Sequence, residues 1–269
     1  MVKCGVIKAV LGIDAAWTAT QPSGVALVEE TDNGWRLLAV EASYQRFLSL
    51  ASGSAPESRP SGSIPDASEL LQASTILFGQ AIDLVAIDMP MSLKRIVGRR
   101  ESDNKVSREF GAKKCGTHSP SAVRPGRISD TLRKDFAAAG YELQTAKIAI
   151  HGLIEVYPHP ALVELANAKE RLTYKAGRSR NYWPYLTPSE RQIELHREWS
   201  KIISLLDSKI SGVATRFKSF RKGTSGIEMK ATEDMLDAVI CAWVAICALE
   251  GTAKPYGDEK SAIWIPVST

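Results

Sequence analysis

Apolar positions in the first 90 residues come in short runs separated by turn residues. Residues 6–13 form an apolar run that reads as a buried strand. Gln21-Pro22-Ser23-Gly24 reads as a turn, residues 25–29 as a second strand, Asp32-Asn33-Gly34 as a hairpin turn and residues 35–44 as a third strand. Together they predict an antiparallel meander. Residues 51–66, rich in Ser, Pro and Gly, read as a low-complexity flexible loop. Leu70, Leu71, Ile76 and Leu77 carry helical spacing over 68–80, and residues 83–88 form a short strand stopped by Pro90.

Beyond that βββαβ start the spacing becomes longer. Residues 91–150 read as a mostly helical insertion with a Pro/Ser/Gly stretch at 116–129. Residues 151–157 read as a strand ended by Pro158 and Pro160. Helices and a charged loop follow over 161–225, then a long helix over 228–250 closed by Gly251, and a last strand at 263–266. No internal repeat is visible. The prediction is one α/β domain over 1–269: a mixed sheet, three antiparallel strands followed by parallel ones, flanked by helices.

Five acidic residues break this apolar pattern. Asp14 and Asp88 end apolar runs, Glu155 interrupts Leu153-Ile154-Glu155-Val156, and Asp234 and Asp237 lie within an apolar helical pattern. Burying a carboxylate is costly unless it is paired, hydrogen-bonded or metal-bound. If strands one and four are adjacent and parallel, Asp14 and Asp88 emerge at one sheet edge, where ligands gather in such folds. Asp234 and Asp237, three apart, share a helix face. Ala231, Ala238, Cys241, Ala242, Ala245 and Ala248 add a small-residue stripe that lets the helix approach the sheet. Carboxylates so close need a counter-charge. An oxygen-only set favours Mg²⁺ or Mn²⁺, and two such ions can drive phosphodiester cleavage. The alternatives are ordinary: a turn or cap role for a strand-end Asp, and a helix-dipole role for Asp234.

Composition narrows the class. With 44% hydrophobic and 24% charged residues the chain is a globular protein rather than a disordered one. No apolar run approaches the roughly 18 residues of a membrane span, and the first eight residues lack a signal-peptide core, so a cytoplasmic protein with no membrane partner is expected. Cys4, Cys115, Cys241 and Cys247 have no metal-type spacing and read as free thiols. The net charge of +4 is mild, but residues 91–135 carry 12 basic against 5 acidic side chains. That segment (Lys94, Arg95, Arg99, Arg100, Lys105, Arg108, Lys113, Lys114, Arg124, Arg127) is either a phosphate-backbone contact or a solvated face. His118 and His159 are candidates for proton transfer or for structural roles. Tyr182, Trp183 and Tyr185 could stack bases or pack in a core or an interface.

Four segments taken in order carry a resemblance: Gly12-Ile13-Asp14-Ala15-Ala16-Trp17, Ala86-Ile87-Asp88-Met89-Pro90, Glu155-Val156-Tyr157-Pro158-His159-Pro160, and Asp234-Met235-Leu236-Asp237-Ala238. The chain resembles a bacterial and archaeal family of unknown function whose members are predicted RNase H-like nucleases. Arg100-Glu101-Ser102-Asp103 with Arg108 resembles that family's Arg/Asp segment, and Tyr174-Lys175 its basic step. The resemblance implies an RNase H-like fold with Asp14, Asp88 and the Asp234/Asp237 pair as metal ligands. The last motif is also similar to the catalytic helix of Holliday-junction resolvases. Those enzymes place Glu at the second position, where this chain has Asp88 and, on the next strand, Glu155 as a rival ligand.

The expectation is a divalent-metal-dependent phosphodiesterase acting on nucleic acid. Asp14, Asp88 and Asp237 are its ligands, Glu155 or Asp234 supports them, and Arg99, Arg100, Arg108, Lys113, Lys114, His118 and Lys175 hold substrate. The alternatives are a non-catalytic nucleic-acid- or nucleotide-binding protein and, last, an actin-like phosphotransferase, which would need Gly-rich phosphate loops that Gly12-Ile13-Asp14-Ala15-Ala16 supplies poorly.

Overall fold

A computed structural model describes residues 7–217, 221 and 223–267. Cys4 and Val6, the first residue of the predicted opening strand, lie outside them, as do 218–220 and 222 of the predicted charged loop. The meander is present as β1 (Ala9–Asp14), β2 (Gly24–Thr31) and β3 (Gly34–Glu41). β1 and β2 pair antiparallel from Ala9 opposite Glu29 to Asp14 opposite Gly24. β3 ends earlier than predicted. Ser43 is extended, and its hydroxyl accepts from the Arg46 N–H at 3.2 Å, so Tyr44–Ser52 turns into a helix the sequence reading missed.

Residues 54–66 form no helix or strand, yet they are tied down. The Glu57 carboxylate accepts from the Ser43 hydroxyl at 2.6 Å and from the Ser61 N–H and hydroxyl at 2.9 and 2.6 Å. The helix Ala67–Phe78 starts at Asp66, whose side chain accepts from the Glu69 N–H at 3.0 Å, and it leads to β4 (Leu84–Ile87). β5 (Glu142–Leu143), β6 (Gly152–Val156), β7 (Ile210–Ser211), β8 (Ala253–Gly257) and β9 (Ala262–Pro266) complete one nine-stranded sheet. Its order is β7-β3-β2-β1-β4-β6-β9-β8, with β5 pairing on β6. β4 is parallel to β1 and to β6, while β8 runs antiparallel to β9. The protein is thus α/β, with a mixed sheet between helices.

One expectation needs correcting. Residues 91–150 carry only two α-helices, Glu101–Phe110 and Arg127–Ala138, with a stretch without α-helix between them. Pro158 and Pro160 do end β6, but by opening the helix Pro158–Leu165, whose first position suits a residue without an N–H.

Strand alternation sorts the core onto two faces. Val10, Leu84, Ala86 and Ile154 join the long helices Pro188–Asp207 and Gly226–Leu249. Leu11, Ile13, Val85, Ile87 and Leu153 point the other way, among Phe47, Leu70, Leu132 and Phe136 of the helices Tyr44–Ser52, Ala67–Phe78 and Arg127–Ala138. A smaller cluster joins Val106 and Phe110 to Ile263 and Ile265 of β9. Cys115, Cys241 and Cys247 are buried and unpaired. No helix among the described residues is long and apolar enough to cross a membrane.

Candidate functional site

Register brings the first two acids together. β1 and β4 pair in parallel up to Ile13 opposite Ile87, so Asp14 and Asp88 leave adjacent strands side by side, and the Asp88 N–H donates to the Ile13 carbonyl at 2.9 Å. Alternation sends both onto the face covered by Gly226–Leu249. That helix lies against the sheet backbone because two strand residues lack a Cβ. A Cβ on Gly12 would sit 2.2 Å from the Ala238 carbonyl oxygen, and one on Gly24 would sit 2.0 Å from that of Asp234. Asp234 and Asp237, both fully buried, thereby face the strand ends. The helix begins at Gly226 behind a Ser225/Glu228 capping box, so both acids lie beyond its first two turns. The dipole of the N-terminus therefore does not account for them.

Two lysines and a tyrosine meet this cluster. Lys175 bonds the Asp237 carboxylate and lies 3.4 Å from Glu233, and Lys230 bonds Asp234 one turn along the helix. The Tyr174 hydroxyl donates to Asp237 at 2.7 Å, and the buried Glu233 accepts from the Ala176 N–H at 2.6 Å. Burial, then Asp237 and Asp234, hold Asp14 well above the usual carboxylate range. Burial and Asp237 push Asp88 up to about 7, and burial pushes Asp234 up to about 6 against the pull of Lys230.

Five carboxylates, counting Glu233, thus face two ammonium groups, and one buried oxygen, Asp234 Oδ2, has no hydrogen-bond partner. An all-oxygen donor set with an orphaned buried oxygen and excess negative charge fits a hard divalent cation. Among the described residues, however, no group of three or more His, Cys, Asp or Glu side chains is arranged to hold a metal ion as it stands. Lys175 and Lys230 bond the two helix carboxylates, so a cation would have to share or displace them.

The raised carboxyls have a consequence for stability. An acid whose folded pKa lies above its unfolded value holds its proton in the fold while the unfolded chain ionises. Its contribution is therefore most favourable below the unfolded value and is lost as pH rises to the folded one. For Asp88 that window runs from 3.8 to about 7. In chelator, Asp88→Asn is expected to stabilise the protein more at pH 8 than at pH 5 relative to wild type. Denaturant titrations at the two pH values measure the difference, and an equal effect at both would show that Asp88 ionises without penalty.

Glu155 lines the same cavity as Asp88 and adds to the negative charge that raises the Asp88 pKa, but its hydrogen bonds lie elsewhere. It pairs with Ile87, not Asp88, in the β4–β6 register, so it points to the opposite face. There the Arg100 Nη1 and Nη2 donate to Glu155 at 2.5 and 2.7 Å, and Nε and Nη2 donate to Asp103 at 3.0 and 2.9 Å. The Arg100 Nη1 also donates to the Met91 carbonyl at 2.7 Å, and the Met91 N–H donates to Glu155 at 2.8 Å. All five guanidinium N–H groups are occupied. Burial pushes Glu155 up to about 7 even against the Arg100 charge. The Glu155–Arg100–Asp103 set is a buried clamp between β6 and the helix Glu101–Phe110.

The predicted substrate-binding cations are mostly engaged elsewhere. Arg99 bonds Asn104, Ser107, Ser119 and the Asp103 carbonyl, Lys113 pairs with Glu164, and Lys114 with Glu170. Arg108 is exposed on its helix, and Lys175 belongs to the acidic cluster. His118 lines two cavities at the strand ends, and Arg100 and Lys175 also line the first of them. One, of about 450 Å³, includes Asp88, Tyr157, His159, Arg171 and Arg178; the other, of about 500 Å³, includes Asp14, Asp234 and Arg124. Trp17, His118 and Lys230 line both. Trp183 packs on the core and Tyr185 is fully exposed, so the predicted aromatic cluster is not one surface.

Four contributors, Glu233, Lys230, Arg171 and Arg178, went unread in the sequence. Lys230 was legible, four residues before Asp234 on one helix face. Arg171 and Arg178 carry no local signal, because only the fold brings residues 171–178 to the strand ends.

Residues 12–261 match the family described as "Protein of unknown function (DUF429)". No curated protein matches the chain.

Proposed function

We propose that this chain, which belongs to the DUF429 family of unknown function, is a divalent-metal-dependent phosphodiesterase acting on nucleic acid through an RNase H-like arrangement. The observation that carries this reading is the meeting of Asp14 and Asp88, from adjacent parallel strand ends, with Asp234 and Asp237 of a helix seated on Gly12 and Gly24. The order β3-β2-β1-β4-β6, antiparallel and then parallel, also supports it.

Asp14, Asp88 and Asp237 would hold Mg²⁺ or Mn²⁺, with Asp234 in support through its unpartnered oxygen. When bound, such an ion supplies Lewis acidity at a phosphodiester. Lys175 and Lys230 offset part of the cluster's charge. Tyr174 orients Asp237 through its 2.7 Å hydrogen bond, and Tyr174 is itself held by Trp199, whose Nε1 donates to its carbonyl at 2.7 Å. Glu155, whose carboxylate is bonded by Arg100, is not assigned as a ligand in this reading.

The test is Mn²⁺ titration with a cleavage assay on single-stranded and structured nucleic acids. Wild type is expected to bind Mn²⁺ and cleave only with metal, and Asp14→Asn to bind it at least about tenfold more weakly with cleavage falling in step. Mn²⁺-dependent cleavage that survives Asp14→Asn would remove Asp14 from the ligand set. The lysines already bonded to Asp234 and Asp237 favour the second reading, a non-catalytic nucleic-acid-binding protein. That reading predicts salt-sensitive binding with no metal-dependent turnover.

A further inference from the structure

The cavity beside Asp88 has a wall that the acidic cluster does not use. Arg171 and Arg178 line it together with His118 and His159. Of its other charged groups, Arg100, Asp103 and Glu155 satisfy one another, Glu233 serves Lys175, Lys230 and the Ala176 N–H, and Asp88 belongs to the acidic cluster. Arg171 and Arg178 are in no ion pair among the described residues, and the Arg171 Nε is buried without a hydrogen-bond partner. His159, 6% exposed between the rings of Tyr157 and Tyr174, also has a buried Nδ1 with no partner.

Buried polar groups left unmatched by the protein are costly and call for a partner. The Arg171 guanidinium can only donate, so its missing partner is an acceptor, and an anion with several acceptor oxygens suits it. Burial and the nearby Lys175, Arg171 and Arg178 charges keep the His159 imidazole neutral, with one donor nitrogen at most. A guanidinium fork matches phosphate geometry in pairs of hydrogen bonds. Two unpaired guanidiniums match the double charge of a phosphomonoester better than the single charge of a diester within a strand. A volume of about 450 Å³, in the range of about 300–1,000 Å³ typical of small-molecule sites, admits one nucleotide. Trp17 and Tyr157 in the wall offer aromatic surface to a base.

We infer that this cavity binds a phosphomonoester, the terminal phosphate of a nucleic-acid strand or a free nucleotide, with Arg171 and Arg178 as its anion clamp. The inference rests on the phosphodiesterase reading for the reaction that follows, because it seats the anion next to Asp88. The anchoring itself requires no metal, so the two can fail separately.

The experiment is calorimetric titration in EDTA, where metal-dependent cleavage is silent. The ligands are a nucleoside 5′-monophosphate, a short single strand phosphorylated at its 5′ or 3′ end, and the same strand with hydroxyl ends. The phosphorylated ligands are expected to bind more tightly than the hydroxyl strand, and Arg171→Gln and Arg178→Gln each to weaken that preference about tenfold. Tight binding of phosphorylated strands assigns the strand end as the source. Binding of the mononucleotide alone assigns the free nucleotide. Arg178 is exposed, so its variant is expected to fold, and Arg171→Lys keeps the charge if Arg171→Gln melts early. Equal affinity for phosphorylated and hydroxyl strands with no mononucleotide binding, or a phosphate preference untouched in both Gln variants, would overturn the inference. Loss of Mn²⁺-dependent cleavage with intact phosphate binding would overturn the phosphodiesterase reading alone.

Discussion

Replacing Arg100 by methionine is expected to destabilise the protein by about 3–5 kcal/mol, although the new side chain has similar length and suits a buried site. The loss comes from what is left behind. Glu155 and Asp103 are almost wholly buried, and Arg100 is their shared counter-charge and donates four hydrogen bonds to them. Without it, two carboxylates must ionise in a poor dielectric or take up protons. Glu155, already pushed up to about 7 with the guanidinium present, would rise further. The added penalty therefore grows with pH, and urea titrations should show a larger loss at pH 8 than at pH 5. The triple variant Arg100→Met, Asp103→Leu, Glu155→Met is expected to recover much of the stability, since replacing a whole buried ionic set is often close to neutral. A loss below about 1 kcal/mol for the single variant would mean that the clamp behaves like a surface pair, and Arg100 would return to the substrate-binding candidates.

The second large effect is predicted at Gly12. Its alanine variant adds one methyl, but that methyl would lie 2.2 Å from the Ala238 carbonyl oxygen and 2.4 Å from the Ala242 nitrogen. These are backbone atoms and cannot rotate away, so the helix Gly226–Leu249 must lift from β1. Overpacking of this kind costs about 1–3 kcal/mol and at times more; an obstruction made of backbone places Gly12→Ala at or above about 3 kcal/mol. Because the same helix carries Asp234 and Asp237, Mn²⁺ affinity is expected to fall along with the melting temperature. Gly98→Ala is the control: nothing lies near its Cβ position, and a change within about 0.5 kcal/mol is expected. A Gly12→Ala protein that melts like wild type would show that the helix shifts at little cost.

The sequence exposed Asp14 and Asp88 because each ends an apolar run, and a run ending in a charge is a local signal. It exposed Asp234 and Asp237 because their three-residue spacing fixes a shared helix face. Glu155 carried the same kind of signal and belongs elsewhere. The deciding fact is its register against β4, where an offset of one residue sends a side chain to the other face. The basic segment misled for a related reason. A count of charges cannot show that Arg100 meets a carboxylate 55 residues away, or that Lys113 meets one 51 residues away. β5 and β7, two residues each, are too short to carry any period, and the helix Tyr44–Ser52 is announced only by its Ser43 cap.

The seat of one helix on Gly12 and Gly24 also bears on the order of events during synthesis. Residues 12 and 24 leave the ribosome more than two hundred positions before Asp234 and Asp237. Contacts this far apart in sequence form slowly, and they cannot form before both partners exist. A nascent chain carries Asp14 and Asp88 on strands whose covering face is still bare, with no opposing carboxylates to gather a cation. Whatever chemistry the acidic cluster performs is withheld until the helix Gly226–Leu249 has been made and has docked on the strands.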